Sequence, residues 1–353
     1  MQNGTATNGF NVDNIDNYVL DANGNPVTNV AHFDLTSPTA NAIRDMSNYI
    51  YRIRKFNQFL QFSHGIYIQN QTKIGNLRVL LGLRQEYFRD LTNYNTKEEA
   101  EVKQNALIPR IGLVYSLLPN VNVYGTYVEG YQPQTASIIN DPNAGGPLDP
   151  LISNLIEFGA KSEWFNRRLS ASLAIYRLIQ QGGLYNANDP SNPDLLVQLG
   201  EEEAQGIELD VAGRINNNWS IIASYSFNDA TITASDDESE IGRQKPNAPR
   251  HTGNLWTKYI IGSGALEGLG FGFGADFVSE RFGSIVRTPE PPLFPAYELL
   301  NAAIYYRLNK FQIQINVNNL ADKTHWVGGY DFIRAFPGAP RHLLTTVSYT
   351  FYS

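Results

Sequence analysis

The feature that most restricts this chain is a series of period-two segments whose connections alternate between short and long. The stretch "FQIQINVNN" (311–319) shows the unit: Phe311, Ile313, Ile315 and Val317 alternate with Gln312, Gln314, Asn316 and Asn318. Successive side chains of a strand point to opposite faces, so this is a β-strand with one apolar and one amide face. In a soluble sandwich the apolar face would be the core. In a transmembrane barrel it would meet lipid, and the amides would line a wet interior.

The same alternation recurs after residue 56. "LRVLLGLRQEYF" aligns Leu77, Val79, Leu81 and Leu83; "RLSASLAIYRL" sets Leu169, Ala171, Leu173 and Ile175 against Ser170, Ser172 and Tyr176. "LGFGFGADFV" sets Phe271, Phe273, Ala275 and Phe277 against Gly272, Gly274 and Asp276. About thirteen such strands can be drawn, with a candidate extra one near residues 45–54. The connections decide which environment they need. "KIGN" (73–76), "LLPN" (117–120), "FNRR" (165–168), "INNN" (215–218), "GSGALEG" (262–268) and "LNK" (308–310) are short. Between them, 92–104, 131–152, 182–194, 234–248, 283–295 and 323–340 are long. In an up-and-down sheet every short turn then falls at one end and every long loop at the other, which is the transmembrane β-barrel pattern. Strands of about ten residues suffice to cross a bilayer when tilted and are roughly twice the soluble mean. Aromatic residues gather at strand ends: Tyr87 and Phe88, Tyr115, Tyr124 and Tyr127, Trp164 and Phe165, Trp256 and Tyr259, Tyr305 and Tyr306, Tyr349 and Phe351. Such rings suit a bilayer interface, where one edge is apolar and the other wet. The expected fold is therefore all-β, an antiparallel up-and-down transmembrane β-barrel in an outer membrane.

Composition narrows the function. With no cysteine, a disulfide scaffold and a thiolate metal site are excluded. A net charge of -7 and pI near 5.3 argue against nucleic acid as a partner. No apolar run approaches a transmembrane helix, and "MQNGTATNGFNVDNID" carries no signal-peptide pattern. The histidines His32, His64, His251, His325 and His342 form no i, i+4 pair, and no G-x-S-x-G is present. "EEE" (201–203) and "DDESE" (236–240) lack an EF-hand spacing and read as solvated loops. No catalytic residue, metal site or cofactor is expected, and the chain is not expected to be an enzyme.

Several segments resemble TonB-dependent siderophore receptors. These are "GIYIQNQTKIGNLRVLLGLRQEYF", "IPRIGLVYSLLPNVNVYGTYVEGYQPQ", "PLDPLISNLIEFGAKSEWFNRRLSASLAIYRL", "GIELDVAGRINNNWSIIASYSFNDATIT", "NAPRHTGNLWTKY", "NVNNLADKTHW" and "PGAPRHLLTTVSYTF". They follow the family order over residues 56–351, and the nearest subgroup resembles the ferrichrome (hydroxamate) receptors. The resemblance implies a barrel of roughly 22 strands, an N-terminal plug domain, a TonB box, and a ferric siderophore as transported ligand. This sequence would supply about 13 or 14 of those strands. By that resemblance the plug, the TonB box and the first strands would lie outside it. Residues 1–55 read as an extracellular-loop-like segment with a possible strand, and 56–353 as the C-terminal part of the barrel.

Loops on a rigid scaffold usually carry recognition. The richest is 323–340, "KTHWVGGYDFIRAFPGAP". There Trp326, Tyr330, Phe332 and Phe336 would pack on an aromatic or hydroxamate ligand, and Arg334 would meet its negative charge. Tyr131, Tyr185, Phe282 and Phe294 are further candidates. The plainer reading is loop-on-loop packing. Alternatives for the whole chain are a receptor for cobalamin or a glycan, a passive porin, or an outer-membrane hydrolase. The partners expected are a ferric siderophore, TonB reached through the plug and box, and outer-membrane lipid.

Overall fold

The computed structural model describes residues 2–4, 19–20, 50–51 and 58–351, apart from 142, 146–147, 188, 190, 193–194, 236–237, 284–290 and 330–334. β1 (Gln2–Gly4), β2 (Val19–Leu20) and β3 (Ile50–Tyr51) precede β4 (Phe59–Ile74), β5 (Leu77–Thr92), β6 (Ala100–Leu118) and β7 (Val121–Gln132). A four-residue helix, α1 (Ala136–Ile139), leads to β8 (Leu151–Trp164), β9 (Leu169–Gln181), β10 (Gly183–Asn186) and β11 (Leu196–Leu199). Then come β12 (Glu201–Arg214), β13 (Trp219–Ala234), β14 (His251–Ile260), β15 (Leu269–Val278), β16 (Arg281–Phe282) and β17 (Leu293–Phe294). β18 (Tyr297–Leu308), β19 (Phe311–Asn318), β20 (Trp326–Gly329), β21 (Ala335–Pro337) and β22 (His342–Tyr349) complete the chain.

One 14-stranded sheet runs β1-β4-β5-β6-β7-β8-β9-β12-β13-β14-β15-β18-β19-β22. Thirteen of its members are the long strands from β4 onward, so the up-and-down antiparallel architecture expected from the alternation is the one present. The fourteenth is not residues 45–54. Within that stretch the described strand is Ile50–Tyr51, which pairs with Val19–Leu20 apart from the large sheet. The extra member is Gln2–Gly4, paired with Phe59–Gln61. Three further hairpins, β10·β11, β16·β17 and β20·β21, sit inside long connections. No pairing joins β22 to β1 or β4 among the described residues, so the sheet has two free edges.

Register decides the faces. Ile313 pairs with Tyr306 and Val347; Phe311 pairs with Leu308 and Tyr349. These side chains are open rather than packed in a dry core: Phe311 is 51% and Val347 63% exposed. Ile68, Leu81, Ile111, Phe158, Ile175, Phe271 and Ile304 continue the same exposed apolar band on other strands. At its short-turn end the rings of Phe311 and Tyr349 lie 4.8 Å apart, and those of Tyr349 and Phe351 4.9 Å apart. The opposite face is polar. There the Tyr124 hydroxyl donates to Glu157 at 2.6 Å and Tyr176 to Asn228 at 3.0 Å. Within the aromatic pairs alternation separates neighbours. Tyr306 and Tyr259 face out, at 41% and 49% exposure, whereas Tyr124, Trp256 and Tyr305 belong to the polar wall and not to an interface girdle. A second correction concerns "EEE" (201–203). It opens β12 rather than a solvated loop, because Glu202 is paired there with Gln180 and Ile232 and is 4% exposed.

Candidate functional site

The long connections meet at one end of the sheet, and side-chain bonds knit them into two clusters. The first joins 234–250, 279–296 and 320–340. The β16·β17 hairpin sets Arg281 opposite Phe294 and Phe282 opposite Leu293. The Arg281 guanidinium is buried, with its centre 5.8 Å from the Phe294 ring and 5.7 Å from that of Tyr297. Its Nη2 donates to the backbone carbonyl of Trp326 at 2.7 Å, while Nη1 has no hydrogen-bond partner among the described residues. The β20·β21 hairpin sets Trp326 opposite Pro337 and Gly328 opposite Phe336. Asn247 closes the group. Its φ of 58° is a left-handed conformation that asparagine tolerates. Its backbone N–H donates to Phe282 at 2.8 Å, its Nδ2 to the Gly329 carbonyl at 2.7 Å, and its Oδ1 accepts from the Gly329 N–H at 2.9 Å.

Asn319, which sequence reasoning did not single out, and His325, the one histidine that it did, aim the 320–340 segment. Asn319, 3% exposed with φ 51°, donates to the Lys323 and Ala339 carbonyls at 2.9 and 3.2 Å and accepts from Lys323 N–H at 2.8 Å. His325 is buried with its ring 4.7 Å from Tyr297 and Nδ1 3.2 Å from the Lys323 carbonyl. The one available signal for Asn319 was an asparagine pair ending a strand, a common place for a left-handed turn.

The second cluster joins 133–150, 182–200 and the same 234–250 segment. Tyr185, on β10, donates its hydroxyl to Glu202, and Lys245 Nζ reaches Glu202 at 2.7 Å and Gln180 at 3.1 Å. Burial first, then the Glu202 carboxylate, push the Tyr185 hydroxyl to a higher pKa. Gln198 bonds Asp149 in both directions, at 2.9 and 2.8 Å, and the Asp90 carboxylate accepts the Ala136 N–H at 2.6 Å. The segment 234–250 thus bridges the clusters, Lys245 in one and Asn247 in the other.

Of the sequence candidates, Phe282, Phe294, Trp326 and Phe336 fall in the first cluster. Phe294 is buried; Trp326 and Phe336 stand open at 36% and 49% exposure. Tyr330, Phe332 and Arg334 lie outside the described residues. Tyr131 and Tyr185 lie elsewhere. The Tyr131 hydroxyl donates to Gln104 at 3.3 Å, and Tyr185 is the tie to Glu202. Beside Phe282, a cleft of about 500 Å³ is bordered by Arg243, Gln244, Arg250, His251 and Glu280, with Arg250 paired to Asp229 at 3.2 Å. Among the described residues no group of three His, Asp or Glu is placed to hold a metal ion. This arrangement can grip a solute between aromatic and polar loop residues.

The relatives agree with this architecture. The metal-pseudopaline receptor CntO of Pseudomonas aeruginosa is 29% identical over 279 residues, 77% of this chain and 38% of that protein. The ferrioxamine B receptor of Salmonella typhimurium is 27% identical over 294 residues, 81% of this chain and 40% of that protein. The chain therefore spans about two fifths of the curated relatives it matches. Among solved structures, the siderophore receptor PiuA from Acinetobacter baumannii superposes with a TM-score of 0.75 at 22% identity, over 94% of this chain and 50% of that one. The ferripyoverdine receptor of Pseudomonas aeruginosa gives 0.72 at 22% identity, over 88% and 41%. At that identity the superpositions speak for the fold. The model of TonB dependent receptor-like beta-barrels matches residues 2–320, and with the sheet, its faces and its loops in agreement, the chain belongs to that family.

Proposed function

We propose that this chain is the C-terminal barrel portion of an outer-membrane receptor that takes up a ferric siderophore, energised by TonB through segments outside the sequence. The observation that carries the reading is the first loop cluster. Trp326 and Phe336 stand open at the long-loop end on a frame of buried Arg281, buried Asn319 and the exposed Asn247. Aromatic faces on a fixed frame suit a compact, largely neutral ferric hydroxamate complex, for which ring contact outweighs ion pairing. The printed names of relatives, a ferrioxamine B receptor and a metal-pseudopaline receptor among them, support the siderophore class.

The test is titration of ferrichrome-type and ferrioxamine ligands against full-length receptor carrying Trp326→Ala or Phe336→Ala. Truncating a well-packed aromatic anchor costs about 2 kcal/mol, roughly thirtyfold in affinity. The barrel should assemble as before, since neither ring belongs to the sheet. Wild-type affinity in both variants would remove this loop as the binding site.

A further inference from the structure

The turn 165–168, between β8 and β9, departs from the usual chemistry of a left-handed backbone. Phe165, Asn166 and Arg167 have φ of 53°, 57° and 65° in succession. Among the described residues every other positive-φ position carries Gly, Asn or Asp, as Gly75, Gly264 and Asn309 do in other short turns. Those residues enter the region at little cost, whereas a bulky side chain there is strained. Strain of this kind gathers where particular side chains are needed, ligand clamps among them. Here it keeps an aromatic ring and a cation at a tip where asparagine would fold more easily. Beside the tip lies an outward surface. Trp164, Leu169, Gly213 and Ile221 form one row across β8, β9, β12 and β13, on the face that carries Phe158 and Ile175. Gly213 has no side chain, and a Cβ there would run into the Arg168 carbonyl, which accepts the Arg214 N–H at 2.7 Å. The row therefore drops to backbone between Leu169 and Ile221, with the open indoles of Trp164 and Trp219 to either side and the open ring of Phe165 at the tip. The Arg168 guanidinium spans the two turns beyond the ends of β9 and β12. Its Nε donates to the Phe165 carbonyl at 2.9 Å and its Nη1 to Asn217 Oδ1 at 2.9 Å. Both acceptors are neutral, and among the described residues no carboxylate pairs with Arg168, whereas Arg167 is paired with Glu163 at 3.1 Å.

We propose that this surface is a headgroup site for an anionic phospholipid in the leaflet on the short-turn side of the bilayer. A guanidinium held by neutral oxygens keeps its charge and its remaining N–H groups for a phosphate, which it matches as a fork. The indoles lie on the lipid face at the turn end, the level at which headgroup gives way to chain and where such rings are most at home. The gap at Gly213 leaves room between them for the glycerol and upper chain. A free hydrated phosphate would satisfy Arg168 but would leave the rings and the gap bare. Because Glu163 already answers Arg167, one cation stands without counter-charge, so a headgroup of net negative charge fits better than a zwitterionic one. The inference rests on the sheet's placement in the membrane and not on the ligand of the long loops.

The experiment uses the full receptor, purified from outer membranes and placed in vesicles of phosphatidylglycerol and phosphatidylcholine, one or the other carrying brominated chains. Bromine quenches a nearby indole, and the difference between wild type and Trp164→Phe isolates the Trp164 signal. Phosphatidylglycerol should be favoured at Trp164 roughly fivefold, the factor that one cation contributes at an anionic lipid surface. Arg168→Gln should bring the two lipids level. Asn217→Ala keeps every charge but unties the guanidinium, and should lower the preference about twofold, so a folding failure of Arg168→Gln leaves a second variant to decide. Phe165→Asn should weaken the preference while raising the receptor's resistance to heat, because the strain leaves with the ring. Lys310→Gln, the same charge change in another short turn, should leave the preference unchanged. Equal quenching by the two lipids in wild type, or a preference that survives Arg168→Gln, overturns the proposal. So does loss of the preference on adding inorganic phosphate at constant ionic strength, which would mark a simple anion site. Lower heat resistance in Phe165→Asn would also overturn it, since the ring would then serve the turn itself. The assay contains no siderophore, so its failure and the failure of the siderophore reading are separable.

Discussion

Arg281 donates from Nη2 to the backbone carbonyl of Trp326 at 2.7 Å, tying together two hairpins 45 residues apart in sequence. The guanidinium is buried beside the Phe294 and Tyr297 rings, so its flat shape matters as much as its charge. Arg281→Met should cost about 2 kcal/mol locally, the scale of a charge-assisted hydrogen bond. Arg281→Lys should fail to restore it. The Gly329 amide, which donates to Asn247, would then exchange with solvent roughly thirtyfold faster. Unchanged exchange at Gly329 in both variants would show that the two hairpins are ordered independently.

Tyr185 and Glu202 set a pH dependence for the second cluster. The folded-state pKa of Tyr185 is raised above the ordinary 10.0 by burial and then by Glu202. The folded form thus favours the neutral phenol. Its contribution is fully present below pH about 10 and is lost as pH rises beyond that toward the raised folded value. Amides of 183–186 should stay protected at neutral pH and open in strong alkali, and Tyr185→Phe should abolish that alkaline step. Glu202→Gln should loosen the hairpin at neutral pH as well, because Lys245 loses its buried counter-charge. Hydrogen exchange across a pH series distinguishes these outcomes.

Ile313 and Gln314 are adjacent in sequence and opposite in face. An arginine on a lipid face at mid-bilayer costs about 2–4 kcal/mol, whereas a lumenal one costs little. Ile313→Arg should therefore reduce membrane assembly of the full receptor strongly and Gln314→Arg barely. Quantitative recovery of folded receptor from outer membranes reads the difference. Equal recovery of the two variants would contradict the assignment of faces.

The sheet ends in β22 on one side and, on the other, in β4 covered only along Phe59–Gln61 by the three-residue β1, and these edges predict how this chain behaves alone. Backbone groups left unpaired in lipid or detergent cost several kcal/mol each as an order of magnitude. The isolated chain should aggregate or self-associate in detergent micelles, as seen by size-exclusion chromatography. A monodisperse, heat-resistant and protease-resistant monomer would require that the edges are satisfied within one chain.

The thirteen long strands, the period of their faces and the end at which the long loops gather were readable from the sequence, whereas the extra strand Gln2–Gly4 and the polar-wall place of Tyr124, Trp256 and Tyr305 were not. A period of two and alternating loop lengths are local properties: each residue's place follows from its neighbours and the pleat of a strand. Loop roles were not local. Asp236 to Glu240 dominate the composition of the 234–250 segment, yet Lys245 and Asn247 are the residues that join the clusters, through partners 43 and 82 residues away. Phe336, in the leading loop, and Phe294, a further candidate, are both loop aromatics in the sequence. Only packing separates them, because the Arg281 guanidinium needs a ring beside it and Phe336 has no such partner among the described residues. In the same way alternation places Lys258 and Arg307 on the lumen face. That they share one cleft with Arg214 depends on strand register, which is set between chain segments far apart in sequence.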